Sequence, residues 1–82
     1  MIDSIKKIMC NVLGIEEKDI TDEMTFENTE KWDSLKHMLM IAAFEEEFSI
    51  EFAAEEIVSM LSFIDIKKVL TNKGVDCKNG NW

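Results

Sequence analysis

The sequence has no arginine, no proline and no tyrosine, and only three glycines and two cysteines in 82 residues. Without arginine there is no bidentate fork for phosphate. Nine lysines against seventeen acids give a formal net charge of −8. That balance excludes a nucleic-acid partner, whose binding draws on clustered Lys and Arg. The absence of proline removes the strongest helix breaker and fits an all-helical chain. The longest apolar run, Met38 to Phe44, is seven residues. A membrane span needs about 20, so none is expected. Met1-Ile2-Asp3-Ser4 shows no basic stretch before an apolar one, so no secretory signal is expected. Cys10 and Cys77 lie near opposite ends, with no C-x-x-C and no Cys/His cluster. Free thiols in a reducing cytoplasm are expected, and no metal site.

What remains is a hydrophobic share of 46% and a charged share of 32%, the balance of one small globular domain with a thin core. That size leaves little room for a deep catalytic cleft, so the chain is not expected to be an enzyme. The domain is expected over residues 1–74, followed by a mobile tail over 75–82. Fifteen of the seventeen acids lie between Glu16 and Asp65, against three lysines. An acidic centre of this kind favours partners with basic patches, brought in by electrostatic steering.

Helical spacing marks four segments. The first runs from about Asp3 to Leu13, with Ile5, Ile8, Met9 and Val12 on one face, Asp3 or Ser4 as its cap and Gly14 past its end. A long acidic loop, residues 15–31, follows; Ile20, Met24 and Phe26 could pin it to the core. The second helix starts at Asp33 or Ser34 and ends near Phe48. It is apolar nearly all round, so part of its surface should stay exposed for a partner or ligand. Glu45-Glu46-Glu47 stands at its negative end, against the helix dipole. A short third helix fits Ala54 to Leu61, with Ile57, Met60 and Leu61 inward. Ser62-Phe63-Ile64-Asp65 reads as a capping box opening the fourth, whose stripe is Phe63, Ile66, Val69 and Leu70.

Few residues carry chemistry. His37 follows Ser34 by three positions, but a Ser–His dyad also needs an orienting acid and an oxyanion hole, and neither is visible. His37 therefore reads as a surface or partner-facing residue. Asp19-x-Thr21-x-Glu23 with Glu30 echoes a calcium loop, yet Met24 stands where the sharp turn needs glycine. Ser34 is placed differently. A serine at a helix start has an exposed hydroxyl beside unpaired N–H groups, a favourable field for a phosphate ester, with Lys36 and His37 as nearby positive charge. The plainer account is that Asp33 or Ser34 simply caps the helix.

Trp32-Asp33-Ser34-Leu35, then Met38-x-Met40-Ile41-Ala42-Ala43-Phe44-Glu45-Glu46-Glu47-Phe48-x-Ile50-Glu51-Phe52, then Glu55-Glu56-Ile57 and Phe63-x-Asp65-Ile66, resembles the acyl carrier protein family over about Ile2 to Asn72. The resemblance implies a small four-helix bundle with a short third helix. It implies that Ser34, flanked by Asp33 and Leu35, receives 4′-phosphopantetheine from coenzyme A through a phosphopantetheinyl transferase. The cofactor's thiol would hold acyl groups as thioesters, shielded by the bundle and presented to loading and acyl-transfer enzymes with basic patches. The carrier itself would catalyse nothing. The second helix would be the docking surface, through Leu35, Met38, Ala42, Glu45 and Glu46, while Met40, Ile41, Phe44 and Phe48 face the core. A cytoplasmic monomer is expected.

The sequence departs from the common fatty-acid carriers at Lys36 and Leu39, where those tend to have acids, and at Lys31-Trp32, where they have small residues. This looks like a stand-alone carrier for a specialised bacterial pathway. Ala53-Ala54 makes a weak start to the third helix. An aminoacyl or peptidyl carrier, or an unmodified helical interaction module, remain the alternatives.

Overall fold

The structure, a computed structural model, describes residues 2–75. Four helices carry it: α1 (Ile2–Leu13), α2 (Ser34–Phe48), α3 (Ala54–Ser59) and α4 (Phe63–Asn72), with a 3-10 turn at Glu17–Asp19 between the first two. This is the expected all-α bundle with a short third helix. Among the described residues no helix is long and apolar enough to cross a membrane.

Each helix ends for a local reason. Gly14, at φ +71°, takes the left-handed conformation that closes α1, and its amide bonds the Cys10 carbonyl at 2.8 Å. Lys31 reaches back to the Gly14 carbonyl at 3.0 Å and ties the far end of the long loop to that corner. Ser49 closes α2 at φ +55°, a conformation that strains any residue with a Cβ. The Ser62 hydroxyl accepts from the Asp65 amide at 3.0 Å and caps α4. Ala53 offers α3 no side-chain cap; instead its amide donates to the Glu56 carboxylate at 2.7 Å, which is half of a capping box. Lys73 of the α4 end holds the same carboxylate at 2.9 Å.

The core is built from Ile5, Met9 and Leu13 of α1, Met40, Ile41 and Phe44 of α2, Met60, and Phe63, Ile66 and Leu70 of α4. On α1 the expected stripe is turned slightly: Ile8 and Val12 are half-buried and Leu13 fully buried. The long loop is pinned by Ile20 and Met24, both buried, and by half-buried Phe26. Its amides pair with the α3–α4 connection, Phe26 donating to the Leu61 carbonyl at 2.8 Å and Phe63 to the Met24 carbonyl at 3.0 Å. That pairing corrects two expectations. α3 stops at Ser59, and Leu61 is 41% exposed, because the chain there is already extended against the loop. Phe48, the last residue of α2, is only half-buried, packed against the edge of the core and stacked on Phe44 with ring centroids 6.3 Å apart. Val75, placed at the start of the tail by the sequence reading, is buried. The rest of that tail, including Cys77, lies outside the described residues; Cys10 is a free thiol.

Candidate functional site

The long loop delivers the chain to the start of α2, and Asp33 caps it. Its carboxylate accepts the Lys36 amide at 2.8 Å, and its backbone carbonyl accepts the His37 amide at 2.8 Å. The cap is therefore Asp33 alone, and this separates the two residues the sequence left interchangeable. Ser34 is exposed, and no hydrogen bond among the described residues engages its hydroxyl. The hydroxyl sits in the first turn of a fifteen-residue helix, where backbone N–H groups point outward and the dipole favours an anion.

His37 is where the structure departs most from the sequence reading. It is buried, not at the surface. Its Nδ1 lies 3.1 Å from the indole Nε1 of Trp32, and its Nε2 lies 2.8 Å from the carbonyl of Ile57 on α3. An indole N–H can only donate and a carbonyl can only accept. Nδ1 must therefore accept and Nε2 must carry the proton, which makes the ring neutral. His37 thus adds no positive charge beside Ser34, and it has no nitrogen left to take the serine's proton. A Ser34–His37 dyad is ruled out by this geometry. Trp32, fully enclosed, stacks on His37 with centroids 6.0 Å apart, and Phe26 packs its edge on both rings. The sequence reading missed this three-ring cluster. One available signal was position, because residues 37, 40, 41 and 44 are successive members of a single buried helical stripe.

The opposite face of α2 carries the exposed apolar residues. Leu35 is 66% exposed, Met38 51% and Leu39 49%, and Ala42 is exposed in the same row. Glu46 and Glu47 are exposed at the end of this face. Glu45 is half-buried, and its carboxylate accepts the Phe52 amide at 3.0 Å, fastening the segment that leads into α3. At least one of the two acids expected on the docking surface is therefore also a structural fastener.

The family model for the phosphopantetheine attachment site matches residues 3–66, most of the chain. The chain is also 43% identical over 67 residues to an acyl carrier protein of Buchnera aphidicola subsp. Baizongia pistaciae (strain Bp), covering 78% of this chain and 86% of that relative. The chain belongs to the acyl carrier protein family. Its cofactor is accordingly a covalently attached 4′-phosphopantetheine. The first turn of α2 fits such a group, since it offers an exposed, unbonded hydroxyl and an anion-favouring helix end in one place. As an acyl carrier protein, the chain works with a phosphopantetheinyl transferase and with acyl-handling enzymes.

Proposed function

We propose that Ser34 is the residue that carries 4′-phosphopantetheine and that this carrier serves a specialised bacterial pathway, catalysing nothing itself. The free hydroxyl of Ser34 beside an aspartate that does the capping carries this reading. The other described serines are less suited. The Ser62 hydroxyl caps α4, the Ser59 hydroxyl donates to the Glu56 carbonyl at 2.8 Å, Ser49 stands at the negative end of α2, and Ser4 is half-buried within α1. In the transfer, the Ser34 oxygen forms a bond to the pantetheine-side phosphorus of coenzyme A. The pyrophosphate P–O bond breaks, the adenosine bisphosphate half leaves, and the hydroxyl proton passes to a base on the transferase. Once attached, the cofactor supplies a thiol that holds acyl groups as thioesters. Asp33 fixes the helix start that presents the oxygen, and Leu35, one residue on, offers an apolar contact to whatever enzyme approaches.

Leu35, Met38 and Ala42, with Glu45 and Glu46 at the far end, form the surface we assign to partners. Leu39 extends the apolar part of it. Lys36, where the common carriers tend to have an acid, makes the region next to Ser34 less negative than the far end. That asymmetry supports a dedicated set of enzymes in place of the general fatty-acid ones. The free Cys10 thiol fits a reducing compartment, the cytoplasm. The test is intact mass after incubation with coenzyme A and a broad-specificity transferase. Wild type should gain one phosphopantetheine and Ser34→Ala none; label retained in Ser34→Ala would overturn the assignment.

A further inference from the structure

A thioester at the end of a long flexible arm has two places to keep an alkyl chain, in water or inside the protein. One way inside is the seam where α2 meets α3, and three rings pack there. His37, one turn beyond Ser34, bonds across the seam to the Ile57 carbonyl of α3 at 2.8 Å. Trp32 donates to the same imidazole at 3.1 Å from the loop side, and Phe26 lies edge-on to both. A chain entering here would have to part α2 from α3 and break the His37 Nε2–H bond to the Ile57 carbonyl, leaving that buried donor unpaired, and it would have to displace the Trp32 and Phe26 rings packed on the imidazole. Two surface cavities among the described residues are poor substitutes. Phe26 also lines one of about 750 Å³ with Leu61, but Glu27 and Asp65 stand on its wall. Another, of about 500 Å³, is bordered by Asp19, Glu23 and Glu30. An alkyl chain in either would strip water from carboxylates.

We propose that Trp32 and His37 are specificity-determining residues that bar a long alkyl chain from the bundle, so that the cargo is a short or polar acyl group, an aminoacyl group included, held outside it. The proposal rests on Ser34 as the attachment residue and replaces the shielding that family resemblance implied.

The experiment loads the carrier with acetyl- and octanoyl-phosphopantetheine from the matching acyl-coenzyme A and confirms by mass that the label is on Ser34. Thioester cleavage by hydroxylamine is then compared, chain for chain, with the free acyl-coenzyme A, and melting temperatures of the two loaded forms are recorded. Octanoyl should be cleaved on the carrier within about twofold of its free rate, and the two forms should melt together, because a group that does not bind the fold neither shields itself nor stabilises it. Protection of octanoyl by more than about tenfold, with a raised melting temperature, would overturn the proposal. In His37→Ala the seam is unlatched, and octanoyl should become protected; His37→Gln, which keeps an acceptor and a donor, should behave as wild type. Folded His37→Ala and Trp32→Ala that both leave octanoyl unprotected would remove these residues from the role; if neither variant folds, Trp32→Phe, which keeps a smaller ring and drops the bond to His37, is read in their place, with protected octanoyl expected and unprotected octanoyl overturning the assignment. Absence of label at Ser34 is a separate result, read by mass before any cleavage, and it overturns the attachment reading together with what rests on it.

Discussion

Replacing His37 with Phe keeps a ring of similar size in the same stripe and removes only the hydrogen bonds. The Trp32 indole N–H, fully enclosed, then has no acceptor, while the Ile57 carbonyl keeps the Met60 amide at 3.4 Å and loses only its better partner. An orphaned buried donor costs about 1–3 kcal/mol and a lost ordinary hydrogen bond about 1, so the variant should lose roughly 2–4 kcal/mol. A domain of this length holds about 4–12 kcal/mol in all, so the loss is readily measured. Urea unfolding with linear extrapolation reads it as a lower midpoint at unchanged slope. A double-mutant cycle sharpens the test. Trp32→Phe removes the orphaned donor, so the His37→Phe/Trp32→Phe pair should be less destabilised than the sum of the singles by at least about 1 kcal/mol. Strict additivity, or a His37→Phe midpoint equal to wild type, would refute the claim that these two side chains are bonded in the core.

Phe44→Ala should cost about 3–5 kcal/mol, since Phe44 is fully buried, and Phe48→Ala clearly less, since its ring is half in solvent; equal losses in the melting temperature would mean the helix face is misassigned. Glu56 is held below its ordinary 4.5, first by the hydrogen bond from Lys73 and then by that from the Ala53 amide. A lowered folded value favours the ionised form, so the Glu56 contribution is full above the ordinary value and disappears as pH falls through the lowered one; the stability gap between wild type and Glu56→Gln should close on acidification, and a gap independent of pH would contradict it. Replacing Glu45 and Glu46 together with Gln leaves Phe52 an acceptor and relieves the helix dipole, so stability should stay within about 0.5 kcal/mol while loading by the transferase slows in its second-order rate, as it should for wild type in high salt. Unchanged loading rates at every salt concentration would reduce these acids to a merely solvated face.

The parts of the fold that were legible in the sequence are those where periodicity and end chemistry agree. α2 begins after Asp33 and stops at Phe48, and α4 begins behind its Ser62 cap, as the spacing implies. The exposed position of Ser34 at a helix start was legible for the same reason, because a helix start leaves N–H groups outward whatever surrounds it. The readings failed where residue type was given more weight than position. His37 looks like a surface residue by type, yet it occupies the place in the 37–40–41–44 stripe that a core side chain must fill. Trp32, beside two charged residues, looks like a loop residue, and only the imidazole 3.1 Å away gives its N–H a reason to be inside. The two are explicable only together, since each polar group is tolerable in the core because the other is there. Leu61 shows the converse. Its helical spacing pointed inward, but the amide of Phe26 had already claimed its backbone for an extended bridge, and an extended chain has no 3.6-residue face to present. Long-range pairings of this kind leave no periodic trace in the sequence, and in this chain they gather beside the first turn of α2. The same pairings join the loop, α2 and α3 around the turn that bears Ser34, so the part of the fold hardest to read from sequence is the part that governs what can lie next to the proposed attachment residue.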